Sequence, residues 1–251
     1  MKFSRLLIIE TRKRLARSLV RFMISLMFLP VLFAGIGLLI RVFYVRSFGT
    51  WEFLPLFYPL FFLVTILVSV GTVKEDVDDN SYVFVNILPF SKTMYYSARL
   101  LSSFILVFGS FAISLLLFYL TSFILGSGVF SELVSLWKYN LGFFFGLIAY
   151  CCVFSFFGTA FKKATIYSII YFFFWEGIFG YAFFFLEKLT ITFYMRNLLP
   201  FSPTSGFKSF FLMRQESITQ SAAIAGLLVF SAVFYMAGLY VFRKKGYITG
   251  E

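Results

Sequence analysis

The sequence predicts an all-α membrane protein with six transmembrane helices, and three observations predict it. Of its 251 residues, 61% are hydrophobic and 13% are charged. A soluble domain is about half apolar and about a quarter charged, so much of this apolar surface must face lipid. The apolar residues come as continuous runs of span length, not as the alternating segments of about ten residues that build a β-barrel. The 22 basic residues also divide unevenly between the connecting segments, which is a topology signal.

Residues 1–20 come first. They interleave Phe3, Leu6, Leu7 and Leu15 with Lys2, Arg5, Arg12, Lys13, Arg14 and Arg17. That pattern suits an amphipathic helix lying in the membrane plane, with its basic face toward anionic headgroups. The plainer alternative is a basic tail that sets topology. The domain at 21–251 then holds spans at 22–40, 54–73, 100–125, 141–161, 166–186 and 222–242. Arg21 and Arg41 bracket the first and can snorkel to the interface. Pro55 and Pro59 fall in the opening turns of the second, where proline is best tolerated. The first apolar run starts late, has span length and lacks a small-residue cleavage site, so it is not expected to be a signal peptide.

Six spans place both termini on one side. Fifteen of the 22 basic residues then fall on that side, including the tight Phe161-Lys162-Lys163 turn. The positive-inside rule makes that side cytoplasmic. The net charge of +11 is therefore an orientation signal, and no nucleic acid partner is expected. The expected location is the plasma membrane of a prokaryotic cell, as a multi-pass protein.

Several chemistries are excluded. The chain has no His, which removes imidazole metal ligands and His-based triads. Cys151 and Cys152 are adjacent within the fourth span and read as packing residues. No Gly-x-x-x-x-Gly-Lys-Ser/Thr loop is present to cradle ATP phosphates. The chain is not expected to be an enzyme or to hold a cofactor.

The inner segment at 74–99 carries the densest signal. Glu75, Asp76, Asp78 and Asp79 are four of the eleven acidic residues, set on an otherwise basic face. Asn80, Ser81 and an apolar stretch too short to cross follow. Leu88-Pro89 breaks any helix, and Ser91 can cap the next one, which opens at Lys92. An acidic, partly apolar helix here would suit docking to a soluble partner. A solvated loop whose acids balance nearby bases is the alternative.

This segment resembles the first cytoplasmic loop of ABC-2 type transporter permeases. The likeness rests on the acidic run, Asn80-Ser81 and the tail Leu88-Pro89-Phe90-Ser91-Lys92, with Arg99 near a usual basic position. Where the family has a Gly/Ser-Thr-x-acidic step, this chain has Asn80-Ser81-Tyr82. The six-span layout, the N-terminal helix and the closing Phe242-Arg243-Lys244-Lys245-Gly246-Tyr247 extend the likeness along most of the chain. The resemblance implies a permease dimer, of two copies or of one copy with a paralogue, in contact with membrane lipids. It also implies two ABC ATPase subunits, which hold ATP and Mg. Residues near Asp76 to Lys92, namely Asp76, Asp78, Asp79, Asn80, Ser81, Pro89, Ser91 and Lys92, with Glu75 beside them, would form the coupling helix.

The large extracellular loop at 187–221 is expected to form short helices at the outer interface, as a gate or as a lid. Glu176 lies mid-span in the fifth run, where a carboxylate must face protein or water. It is a substrate contact, a polar lock in the translocation path, or a packing residue. Gly142 and Gly146 form a GxxxG step that permits close helix approach, within or between subunits. The 40 Phe residues are expected mostly as lipid-facing bulk. The expected function is the permease of an ATP-driven exporter that moves an amphipathic or hydrophobic substrate, such as a peptide, lipid or drug. The alternatives are a membrane scaffold or sensor that recruits a cytoplasmic protein through its acidic loop, and, less favoured, an intramembrane enzyme.

Overall fold

The computed structural model describes residues 2–32, 36, 57–78, 91–124, 129–179, 186–199 and 218–244. Every regular element among them is helical. In chain order these are α1 (Lys2–Ala16), α2 (Ser18–Leu26), α3 (Phe57–Asp78), α4 (Lys92–Ile124) and α5 (Val129–Ala160). They continue with α6 (Ala164–Ile170), a π-helix (Tyr171–Phe179), a 3-10 turn (Glu187–Leu189), α7 (Ile191–Leu198) and α8 (Gln220–Lys244).

Three segments are long and apolar enough to cross a membrane: Lys92–Thr121, Trp137–Ala160 and Gln220–Lys244. They overlap the runs read at 100–125, 141–161 and 222–242. A fourth candidate is the bent pair Phe3–Ala16 and Val20–Leu32, whose halves meet at 80°. The protein is thus a helical membrane protein with three or four candidate spans among its described residues. The run at 54–73 falls on α3, whose apolar part is Leu60–Gly71, and the run at 166–186 falls on α6 and the π-helix. Residues 33–35, 37–40, 54–56, 180–185 and 200–217 lie outside the described residues, as do 245–251.

The helices outlast their apolar cores. α4 begins at Lys92 and α5 at Val129, each well before the run read from hydropathy. Polar residues such as Lys92, Thr93 and Arg99 are acceptable in a helix when neighbours meet their side chains, so apolar content marks the membrane-depth part and not the helix end.

α5 is the central element. Of its apolar window 67% is buried, against 28% for α8 at the periphery. α3 packs closely against it: a Cβ on Gly158 would stand 2.5 Å from the Val70 carbonyl oxygen. Where α3, α4 and α5 meet, Phe61 contacts Phe111 at 5.5 Å and Phe143 at 4.6 Å between ring centroids, both edge-on. This edge-to-face geometry sets the positive rim of one ring against the negative face of the next. Phe62, Phe118 and Phe154 are buried in the same core, while Phe22, Phe173 and Phe174 are exposed. The aromatic abundance therefore divides between an interior core and the outer surface.

On α1, Leu6, Glu10 and Arg14, four residues apart, are buried against the bundle. Ile8, Ile9 and Leu15 are exposed on the remaining surface of the helix, interleaved with the exposed Arg5, Arg12 and Lys13. Its apolar residues do not share one side: Leu6 is buried while Phe3 and Leu15 are exposed. The helical path after α2 breaks at Met27, whose carbonyl accepts a hydrogen bond from Ser114 Oγ of α4.

Candidate functional site

Glu176, the carboxylate within the apolar run at 166–186, is 2% exposed and sits at the N-terminus of α7. Its Oε1 accepts from Tyr171 Oη at 2.9 Å and from the Ile191 backbone N–H at 3.1 Å. Its Oε2 accepts from the Thr192 backbone N–H at 2.9 Å and from Thr192 Oγ1 at 2.6 Å. A helix start leaves its first N–H groups without internal partners. Here the first two go to Glu176, and the third, from Phe193, reaches the Thr190 hydroxyl at 3.3 Å. Thr190 is an ordinary N-cap, and Glu176 is a second cap supplied by another helix. Its negative charge also sits at the positive end of the helix dipole.

The π-helix explains why Glu176 points there. In α winding, residues five apart stand about 140° apart around the axis. The wider π turn, with its i to i+5 hydrogen bonds, brings them together. Tyr171 and Glu176 are such a pair. Behind them Tyr150 of α5 contacts Thr192 Oγ1 at 3.1 Å, which ties the site to the central helix.

α7 is seated in a groove lined by glycine. A Cβ on Gly142 would stand 2.8 Å from Leu199, and one on Gly146 would strike Met195. From the opposite wall, a Cβ on Gly226 of α8 would strike the Tyr194 ring. The GxxxG step of α5 therefore serves an approach within this chain. Ile191, Thr192, Phe193, Met195 and Leu198 are all buried. At the far end the Asn197 side chain donates to Phe193 O at 2.9 Å and accepts from the Ile218 N–H at 3.2 Å. The Glu187–Arg196 ion pair, at 3.4 Å, braces the turn that enters α7.

A second polar site joins α1 to α4. Glu10 pairs with Arg99 at 3.1 Å, and Arg99 is fully buried. Arg99 also donates to Tyr95 Oη from Nε at 3.1 Å and from Nη2 at 2.9 Å. One turn further along both helices, Arg14 donates to Ser103 Oγ, and it reaches the Val68 carbonyl of α3 at 3.5 Å. The same stretch of α4 meets α8: Ser97 Oγ bonds Tyr235 Oη at 2.7 Å, and Arg243 donates to Thr93 Oγ1 at 2.6 Å. Tyr96 fills the space over Gly238 and accepts from Ser155 of α5 at 3.2 Å. The first three turns of α4 are thus cross-linked to α1, α5 and α8. Sequence reading missed Glu10 and Arg14 as a site. The available signal was the four-residue spacing of Leu6, Glu10 and Arg14 opposite Tyr95, Arg99 and Ser103, two ridges of the kind that interdigitate between helices.

Of the acidic segment, Glu75, Asp76 and Asp78 belong to the last turns of α3, which runs past the expected loop boundary at 74. Ser91 Oγ accepts the Met94 N–H at 3.2 Å and so caps α4, whose first residue is Lys92. Asp79, Asn80, Ser81 and Pro89 lie outside the described residues. Glu176 draws its partners from none of these segments. Cys151 accepts from Ser69 Oγ at 3.3 Å, a buried packing contact. Among the described residues no three His, Cys, Asp or Glu side chains converge as a metal set. No protein-family model matches the chain, and no curated protein does.

Proposed function

We propose that the chain is the membrane-spanning permease subunit of an ATP-driven exporter of the ABC-2 type. The observation that carries this reading is the order of residues around position 80. Glu75, Asp76 and Asp78 end α3, Asp79-Asn80-Ser81 follows, and Leu88-Pro89-Phe90-Ser91-Lys92 leads into a capped α4. An acidic segment on a basic inner face is a docking surface for a partner of opposite charge. The cross-links from the start of α4 to α1, α5 and α8 support it, because a push on this segment would reach three other helices.

In this reading the chain has six spans with both termini in the cytoplasm, and α1 lies in the membrane plane. The 80° bend between the two halves of the N-terminal pair and the exposed Arg5, Arg12 and Lys13 support that placement of α1. Two permease chains, identical or paralogous, work with two ATPase subunits that carry ATP and Mg. Closure of those subunits drives the segments at 74–99 and exchanges inward- and outward-facing states. The cargo is amphipathic or hydrophobic, and the complex resides in a prokaryotic plasma membrane.

Co-purification with the ATP-binding protein encoded beside this chain tests the reading. A stable complex is expected, and Asp76→Lys with Asp78→Lys and Asp79→Lys should lower its ATPase rate by roughly tenfold or more through like-charge contacts. Failure to associate with any ATPase would sink the proposal. A complex whose hydrolysis ignores both the charge reversals and every cargo would instead mark a scaffold.

A further inference from the structure

We propose that Glu176 is the latch that seats α7 in the groove between α5 and α8, and that α7 leaves that groove when the latch opens. Three observations carry it. First, each carboxylate oxygen faces one backbone N–H, of Ile191 or of Thr192. Those donors cannot turn away. An amide nitrogen in place of either oxygen sets donor against donor, so the arrangement is specific for a two-oxygen acceptor.

Second, α7 is eight residues long. Isolated helices shorter than about 12–15 residues are marginal, so α7 depends on its cap and its seat. Third, the seat is glycine-lined on both walls: Gly142 receives Leu199, Gly146 receives Met195, and Gly226 receives the Tyr194 ring. A short helix that fills a groove between two long ones, and is pinned at its start by a side chain from a π-helix, has a natural second state. In that state the carboxylate is withdrawn and the groove is open. π segments are a common place for such local rearrangement.

Glu176 is accordingly a positioning residue that acts through α7.

Hydrogen exchange by mass spectrometry on the full-length chain in phosphatidylcholine nanodiscs tests the latch. Glu176→Gln keeps size and shape, yet it should raise exchange of the Ile191 and Thr192 amides by roughly tenfold or more, the loss of about one charge-assisted hydrogen bond. The peptides of α4 should be unchanged. Glu176→Asp, with both oxygens one methylene short, should fall between. A packing role would be rescued by Gln, so parent-like exchange in Glu176→Gln overturns the proposal.

Should Glu176→Gln fail to fold, Tyr171→Phe and Thr192→Val each remove one hydroxyl donor and leave the carboxylate in place. Graded increases at the same two amides are expected, and no increase in either variant overturns the latch. Absence of any complex with an ATPase overturns the exporter reading and leaves the exchange result, and so the latch, untouched.

Discussion

At the start of α7 a carboxylate meets four donors, none of which carries a formal charge. At the contact between α1 and α4 a carboxylate meets a guanidinium, with a second buried arginine one turn away. Both sites bury a glutamate, but they solve the desolvation problem differently. Glu176 spreads its charge over dipoles, two of them from the backbone, and losing any one donor leaves the others. Glu10 relies on a full counter-charge, and its carboxylate is a buried charge once Arg99 is removed. The first arrangement can be loosened by degrees, which suits a part that moves. The second is closer to all-or-none, which suits a joint that transmits.

Breaking the joint should have the largest effect. Arg99→Met leaves Glu10 buried beside an apolar chain and should cost about 3–5 kcal/mol, seen as a lowered Tm in detergent. Adding Glu10→Leu should recover most of that loss. If the double variant is as unstable as the single one, the ion pair is incidental to the joint. Next comes the seat of α7: Gly146→Val drives a branched side chain into Met195 and should cost about 1–3 kcal/mol. That loss should appear with faster exchange in α7 and an unchanged contact between α1 and α4, which separates the two sites. The smallest effect should come from a neutral cross-link. Ser97→Ala removes the bond to Tyr235 and should cost about 0.6 kcal/mol, the average for interhelical hydrogen bonds in membranes. A loss as large as that of Arg99→Met would erase the contrast between charged and neutral contacts in this bundle.

What could be read from the residues follows the range of the forces involved. The apolar runs under α4, α5 and α8 were legible because burial in lipid acts on each residue separately and leaves a continuous trace. Glu176 was legible because one carboxylate stands out in an apolar run. Its partners were not, since the decisive donors are the backbone N–H groups of Ile191 and Thr192, which carry no side-chain signature. Gly142 and Gly146 announced a close approach but not its occupant, because a glycine specifies space and not what fills it. The pairing of Glu10 with Arg99 joins residues far apart in the chain. It shows in sequence only as two matching four-residue spacings, a pattern that chance also produces. The end of α3 was hidden for a related reason: hydropathy marks where lipid begins, while α3 continues past that boundary to Asp78. The start of α4 at Lys92 was legible, because Ser91 carries the hydroxyl that caps it.

The contact between Gly158 and the Val70 carbonyl oxygen differs in kind from the others. Met195 or Tyr194 could rotate to admit an added methyl group, whereas a carbonyl in a helix has no rotamer to change. Replacing Gly158 with alanine would force α3 and α5 apart along their length, with the phenylalanine core between them. The exposed Phe173 and Phe174 can exchange with other apolar residues at little cost, whereas position 158 admits no side chain without displacing a helix.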